Sequence, residues 1–264
     1  MFDNTQNKTF FYTSPKRSIF IGGLEGVVKR SNVASTLMIA VGSEMSVVNE
    51  ANESVKCRSL LIPTGTEVTI HTHSAIIAQC FLDDSGSDLA KLIPQMKTIV
   101  PTADGGSVYT DITMEPCMIN HFTYLVSERP ANRIAIEQID AWMDGYPAPK
   151  NYIYDPRVAR AIEIIKDNYT VNLSVESIAV SVGLSVPRLS QIFKLMTGVP
   201  IRRFRLTYRA FVAADKLRQG ASLTEAAIEC GFADYSQMCR VFRELTGTKP
   251  SCIKQIDATL TAAA

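Results

Sequence analysis

Tyr235, Ser236, Gln237, Arg240 and Arg243 lie close together on the chain, interleaved with Met238, Val241, Phe242 and Leu245. At 3.6 residues per turn the apolar set forms one helical stripe and the polar set faces the other way. Arginine can pair bidentately with a guanine edge and glutamine with adenine, while cations and hydroxyls hold phosphates. Such groups read a DNA duplex if a helix carries them into the major groove. The residues just upstream suit that task. Ser222 is a good N-cap, and Leu223, Ala226, Ala227 and Cys230 give a second, shorter helix an apolar face. Gly231 permits a tight turn, and Phe232 can fill the angle between the two helices. A short helix, a glycine turn and a helix with cationic groups outward form the layout of a helix-turn-helix.

The pattern occurs twice. In LSVESIAVSVGLSVPRLSQIFKLMTGVP (173–200), Ala179 matches Ala227, Gly183 matches Gly231, Leu189 matches Met238 and Phe193 matches Phe242. Lys194 matches Arg243, and Thr197-Gly198 matches Thr246-Gly247. The result is an internal repeat of about 50 residues. The tandem motif over roughly 155–255, and the string GFADYSQMCRVFR in particular, resembles the AraC/XylS class of bacterial transcription regulators. That resemblance implies base contacts from Tyr235, Gln237 and Arg240 in the second copy. In the first, the corresponding positions are Pro187, Arg188 and Gln191. Pro187 has no side-chain donor, which leaves Arg188 and Gln191 as readers. Lys194 and Arg243, with Ser236, are expected at the DNA as well, the two cations on phosphates.

Other chemistry is sparse. His71 and His73 would share one face of a strand, and His-x-His opens many metal sites. The residue four beyond His73 is Ile77, and His121 lies in a helix-like stretch, so two ligands stand where a closed site needs three or four. No metal or cofactor is expected, and the two histidines are kept as weak ligand-binding candidates. The sequence has no phosphate loop and no nucleophile–base constellation. Its six cysteines form no CxxC pair and suit reduced thiols.

The elements that must position the readers divide the 264 residues into two parts. Residues 1–154 hold twelve Lys and Arg against sixteen Asp and Glu, whereas 155–264 hold fifteen against ten. The net charge of +1 thus conceals an acidic half and a basic half, and the basic half carries the repeat. Short β-type runs between Gly, Asn and Pro over 17–84 predict an antiparallel barrel or sandwich. Residues 86–100 read as a helix kinked at Pro94, and 114–128 and 130–145 read as further helices, the last using Ile134, Ile139, Trp142 and Met143. The two-proline stretch at 146–154 reads as a linker. Residues 201–219 lack Pro and Gly and predict a stiff connector about 28 Å long between the two motifs. Phe204, Leu206, Tyr208, Phe211, Ala214 and Leu217 belong to its buried side, with Arg202, Arg203, Arg205 and Arg209 partly available to phosphates.

The expected architecture is therefore α+β. A cupin-like antiparallel β-barrel with flanking helices (1–145) precedes a seven-helix DNA-binding domain (155–264). The resemblance implies a transcription regulator, an activator by analogy, that binds double-stranded DNA, engages RNA polymerase, forms a homodimer and takes a small-molecule effector. The alternatives are an effector-independent binder whose barrel only dimerises, and a metal-dependent cupin enzyme with a DNA-binding tail. No apolar run reaches the ~18 residues of a membrane span. With no charged-then-apolar leader, a cytoplasmic location is expected.

Overall fold

The computed structural model describes residues 10–14, 16–24, 26–31, 34–83, 87–147 and 155–253. Apolar runs separated by turn residues become strands β1 (Phe10–Thr13), β2 (Ser18–Gly23), β3 (Val27–Ser31), β4 (Thr36–Val41), β5 (Met45–Val48), β6 (Ser54–Cys57), β7 (Ser59–Ile62), β8 (Glu67–His71) and β9 (Ile76–Phe81). Helix α1 (Ser87–Leu92) leads through a 3-10 turn into β10 (Met96–Pro101) and β11 (Ser107–Ile112), followed by α2 (Glu115–Glu128) and α3 (Asn132–Gly145).

The strands do not close into the expected barrel. They form two antiparallel sheets, one ordered β1-β2-β9-β4-β7-β11-β10 and the other β3-β8-β5-β6. Stacking two sheets buries one face of each without closing an edge. Met38, Ala40, Leu60, Ile62 and Ile77 of the larger sheet meet Met45, Val47, Val68 and Ile70 of the smaller. On the larger sheet's other face, Ile19, Ile21, Leu37, Ile39 and Leu61 pack under Met118, Phe122 and Leu125 of α2 and Ile136, Ile139 and Met143 of α3. Ile134, expected in that arc, is exposed. Pro130 lies outside the helix, which begins at Asn132 and turns Ala135 and Ile136 inward.

The helix expected over 86–100 stops at Leu92. Pro94 sits in the 3-10 turn, where its missing N–H does no harm. The β-branched Thr98, Ile99 and Val100 then pair with β11, whose Val108, Thr110 and Ile112 are buried in alternation. Neither strand carried the long alternation that would have marked it.

Six helices make up the described part of the C-terminal half: α4 (Pro156–Asp167), α5 (Val175–Ser181), α6 (Val186–Thr197), α7 (Ile201–Arg218), α8 (Leu223–Glu229) and α9 (Tyr235–Thr246). A seventh was expected; a helical turn begins at Ser251, and the chain beyond Ile253 is outside the described residues. Most of the expected linker, 148–154, is also outside them. Two separate cores form. Ile162, Ile165, Ile178, Leu189, Phe193 and Phe204 build one around α4–α6, and Ala213, Leu217, Ala227, Met238, Phe242 and Leu245 build the other around α8 and α9. The connector α7 contributes to both.

Candidate nucleic-acid interface

The two motifs have the same dimensions. α5 and α8 are seven residues each, and α6 and α9 twelve each. Ser174 caps α5 by accepting from Ser177 N, and Ser222 forms a full capping box with Glu225 on α8. Both longer helices end at a left-handed glycine, Gly198 at φ 77° and Gly247 at φ 82°. Gly231 has a second reason to lack a side chain: a Cβ there would strike the backbone of Thr170.

Arg188, Gln191, Lys194, Tyr235, Ser236, Arg240 and Arg243 are all exposed, and Gln237 is half-buried. The helix starts align Tyr235 with Val186 and Pro187 with Ser236, one position away from the sequence-based correspondence. Tyr235 of the second motif therefore has an apolar counterpart in the first, and Pro187 simply occupies the first turn, where proline is tolerated. Several of these groups already have partners. Arg188 Nη1 donates to Gln191 Oε1 at 2.9 Å. Gln237 Oε1 accepts from Ala233 N at 2.9 Å, and its own N–H donates to Asp234, the N-cap of α9. The Tyr235 hydroxyl pKa is raised by its hydrogen bond to Cys239 one turn on.

The connector arginines divide differently from expectation. Arg202 is exposed. Arg203 donates to Glu244 Oε2 at 2.5 Å, tying α7 to α9. Arg205 is half-buried, its Nη2 has no partner among the described residues, and desolvation lowers its pKa. Arg209 is buried and unavailable to phosphate. Its guanidinium donates to Tyr169 O (2.5 Å), Gly231 O (2.7 Å), Asn172 Oδ1 (3.0 Å) and Val171 O (3.3 Å). It joins the loop before the first motif to the turn inside the second. Composition alone marks Arg209 as one cation among four; its position on the packed side of α7, beside Ala210 and Ala213, was the available signal.

The N-terminal half meets this domain behind the proposed readers, at the other ends of their helices. Phe11, Phe20 and Gln79 form one cross-strand row on β1, β2 and β9, and Phe11, Phe20 and Phe81 join the core of the second motif. Gln79, fully buried, donates to Thr246 O in the last turn of α9 at 2.8 Å. A polar residue in an inward strand position was the sequence signal for this contact. The first motif is held at the same point: a Cβ on Gly198 would lie 2.7 Å from Thr64 Cβ. Two cavities remain along the seam. One of about 430 Å³ is walled by Phe81, Leu82, Tyr208, Phe211 and Val212, with Lys16 and Arg218 among its polar residues. A smaller one of about 200 Å³ lies by the end of α6.

His71 ends β8, and His73 lies beyond it in a left-handed turn at φ 47°. Their rings stack 6.1 Å apart, and His73 Nε2 is 2.9 Å from Ser46 Oγ. Neither lines the cavities along the domain seam. His121 is on α2 against Trp142, with its pKa lowered by burial. Among the described residues no three His, Cys, Asp or Glu side chains gather as a metal site. Among the same residues, no helix is long and apolar enough to cross a membrane.

Residues 178–255 match the family described as a helix-turn-helix domain. The HTH-type transcriptional regulator RipA of Corynebacterium glutamicum is 35% identical over 97 residues, covering 36% of this chain and 29% of that protein. The HTH-type transcriptional activator RhaS of Escherichia fergusonii is 32% identical over 102 residues, covering 38% and 37%. The chain therefore spans well under half the length of either relative. An apo form of ToxT from Vibrio cholerae superposes over 93% of this chain and 99% of its own, with a TM-score of 0.59 at 11% identity. ToxT bound to an unsaturated fatty acid gives a TM-score of 0.55 at 12% identity, over 90% and 94%. The chain has a ToxT-like two-domain fold, and its residues 178–255 match a helix-turn-helix domain family, in the region where it resembles HTH-type transcriptional regulators.

Proposed function

We propose that the protein is a sequence-specific regulator of transcription that binds double-stranded DNA through both helix-turn-helix motifs. One observation carries this reading: two helix pairs of equal size, each with cationic and amide groups outward, are joined by a single 18-residue helix. That helix is about 27 Å long, which suits two reading helices about 34 Å apart on successive major-groove segments. Arg240 and Gln237 are the proposed base readers of the second motif, with Tyr235 beside them, and Arg188 and Gln191 those of the first. Lys194, Arg243 and Ser236 hold phosphates. By analogy with the activator among its relatives, the protein works in the cytoplasm as an activator that engages RNA polymerase, as a homodimer.

The larger cavity is the proposed effector site. Its aromatic and aliphatic walls, with the exposed Lys16 at the rim and Arg218 paired to Asp215, suit an apolar molecule whose carboxylate meets Lys16, as in the unsaturated fatty acid bound by ToxT. Footprinting on a selected site tests the main reading. Two protected segments one helical turn apart are expected for each bound protomer, with Arg188→Ala and Arg240→Ala each weakening a different one. Protection of a single segment, unaffected by Arg188→Ala, would overturn the bipartite reading.

A further inference from the structure

We infer that the smaller seam cavity is a second ligand site, specific for a compact neutral molecule with an apolar ring and one carbonyl or hydroxyl group. The inference is independent of DNA recognition and of the acidic effector proposed for the larger cavity. The cavity, about 200 Å³, lies between the turn after β7, the C-terminal end of α6 and the first turns of α7. It is smaller than the 300–1,000 Å³ of drug-sized sites, so it takes a single substituted ring rather than an extended chain.

The orienting group is Thr207. It is 6% exposed and lines the cavity, and its Oγ1 has no hydrogen-bond partner among the described residues. A helical threonine can return its hydroxyl to the carbonyl four residues back, as Thr197 does to Phe193 O and Thr246 to Phe242 O. Thr207 forms no such bond. A buried hydroxyl left unpaired is costly, and a polar ligand atom in the cavity removes that cost. The other hydroxyls in the wall are already engaged: Ser35 Oγ and Thr64 Oγ1 are 2.8 Å apart, and Ser35 Oγ also accepts from Thr64 N.

The remaining wall sets the ligand's charge. Leu82, Leu89, Met196, Val199 and Phe204 are apolar, and among the described residues no Lys, Arg or His lines the cavity. Asp83, the ionisable residue present, accepts from Asp88 N. A carboxylate would be desolvated beside another carboxylate, and an ammonium would lose its water against apolar walls for a carboxylate that already accepts from Asp88 N. A ligand here touches both domains beside the Thr64–Gly198 contact. It therefore favours the seated arrangement, by as much as its affinity for that arrangement exceeds its affinity for others.

Methionine-methyl NMR on the full chain, without DNA, tests the site. Met196 is the reporter, assigned by Met196→Leu, and acetophenone, benzoate and benzylamine are the probes. Acetophenone should give a saturable shift at Met196, and the two ions should not. Thr207→Val, which keeps the shape and removes the hydroxyl, should weaken acetophenone about five- to tenfold, the net worth of one hydrogen bond, and Thr207→Ser should restore it. No saturable shift, benzoate or benzylamine binding as well as the ketone, or unchanged affinity in a folded Thr207→Val would each overturn the inference. Should Thr207→Val fail to fold, the comparison of neutral and charged probes on the unmodified chain decides. A failure of DNA recognition would leave all of these readings unchanged.

Discussion

Replacing Arg209 by methionine tests whether one buried side chain holds the two motifs in register. Methionine keeps an apolar stem of similar reach and removes all the donors. Tyr169 O and Gly231 O, both on half-buried residues, accept the two shortest bonds and would lose their partner. Val171 and Asn172 are exposed, so water can replace the guanidinium there. Two stranded carbonyls at about 1–3 kcal/mol each give about 2–6 kcal/mol. Against this, the guanidinium is itself desolvated and has no carboxylate partner among the described residues, and burial lowers its pKa. Removing it recovers part of that cost, which places the expected loss at the lower end, about 2–3 kcal/mol. Arg209→Lys, a point donor that cannot span both carbonyls, should fall between. Urea unfolding followed by circular dichroism measures the loss. Footprinting then asks for its consequence: with the stitch cut, the mutant should hold the bipartite site little better than one half-site. A loss under about 1 kcal/mol, with both segments protected at normal affinity, would refute the reasoning.

Arg240→Ala should cost about 1–3 kcal/mol on the selected site and relax preference at one base pair, whereas Lys194→Ala should weaken all sequences alike and lower the salt slope by about one; competition binding at several salt concentrations separates the two. Gln79→Leu strands Thr246 O at the domain seam and should expose the seam to limited proteolysis, while Gln79→Glu, which cannot donate, should do the same. Unchanged cleavage would show that the aromatic and Thr64–Gly198 contacts hold the seam without this bond. Asp155, the N-cap of α4, is held at about 2 by hydrogen bonds from Arg157, below its ordinary 3.8. Because the folded pKa is the lower one, its contribution is complete above pH ~4 and lost as pH falls through ~2; Asp155→Ala should cost about 1 kcal/mol at neutral pH and flatten that acid limb.

The two longer helices were legible because each carries a 3.6-residue apolar stripe and ends at a Thr-Gly pair, repeated 49 residues later in the same order. The connector was legible through the lack of breakers, and α7 ends at Arg218, one residue before the expected limit. What sequence reasoning missed depends on distant partners. Strand β10 exposes Ile99 beside Lys97 and ends in Pro101, so no inside–outside alternation marks it, and it reads as a strand only once β11 is beside it. Whether the sheets close into a barrel is decided by which strands become edges, and a run of apolar residues does not encode that. Arg209 looked like a surface cation because arginines usually are; its carbonyl partners come from loops 22 to 40 residues away.

The placement of these buried polar groups has a mechanical consequence. The proposed readers occupy the first two to three turns of α6 and α9, while the N-terminal half touches the last turn of each, through Thr64 against Gly198 and Gln79 bonded to Thr246 O. Between them, α7 is fixed to α9 by Arg203 and Glu244, to α8 by Lys216 and Glu229, and to both motifs by Arg209. A helix of twelve residues is a stiff lever about 18 Å long, so a tilt imposed at its C-terminal end moves the readers at the other. The N-terminal sheet grips both levers at the same motif position and both cavities lie along that grip, so a ligand needs no direct contact with a base-reading residue to change the spacing of the two helices. It needs only to bind one seating of the domains more tightly than another, and a factor of ten in that preference is worth about 1.4 kcal/mol.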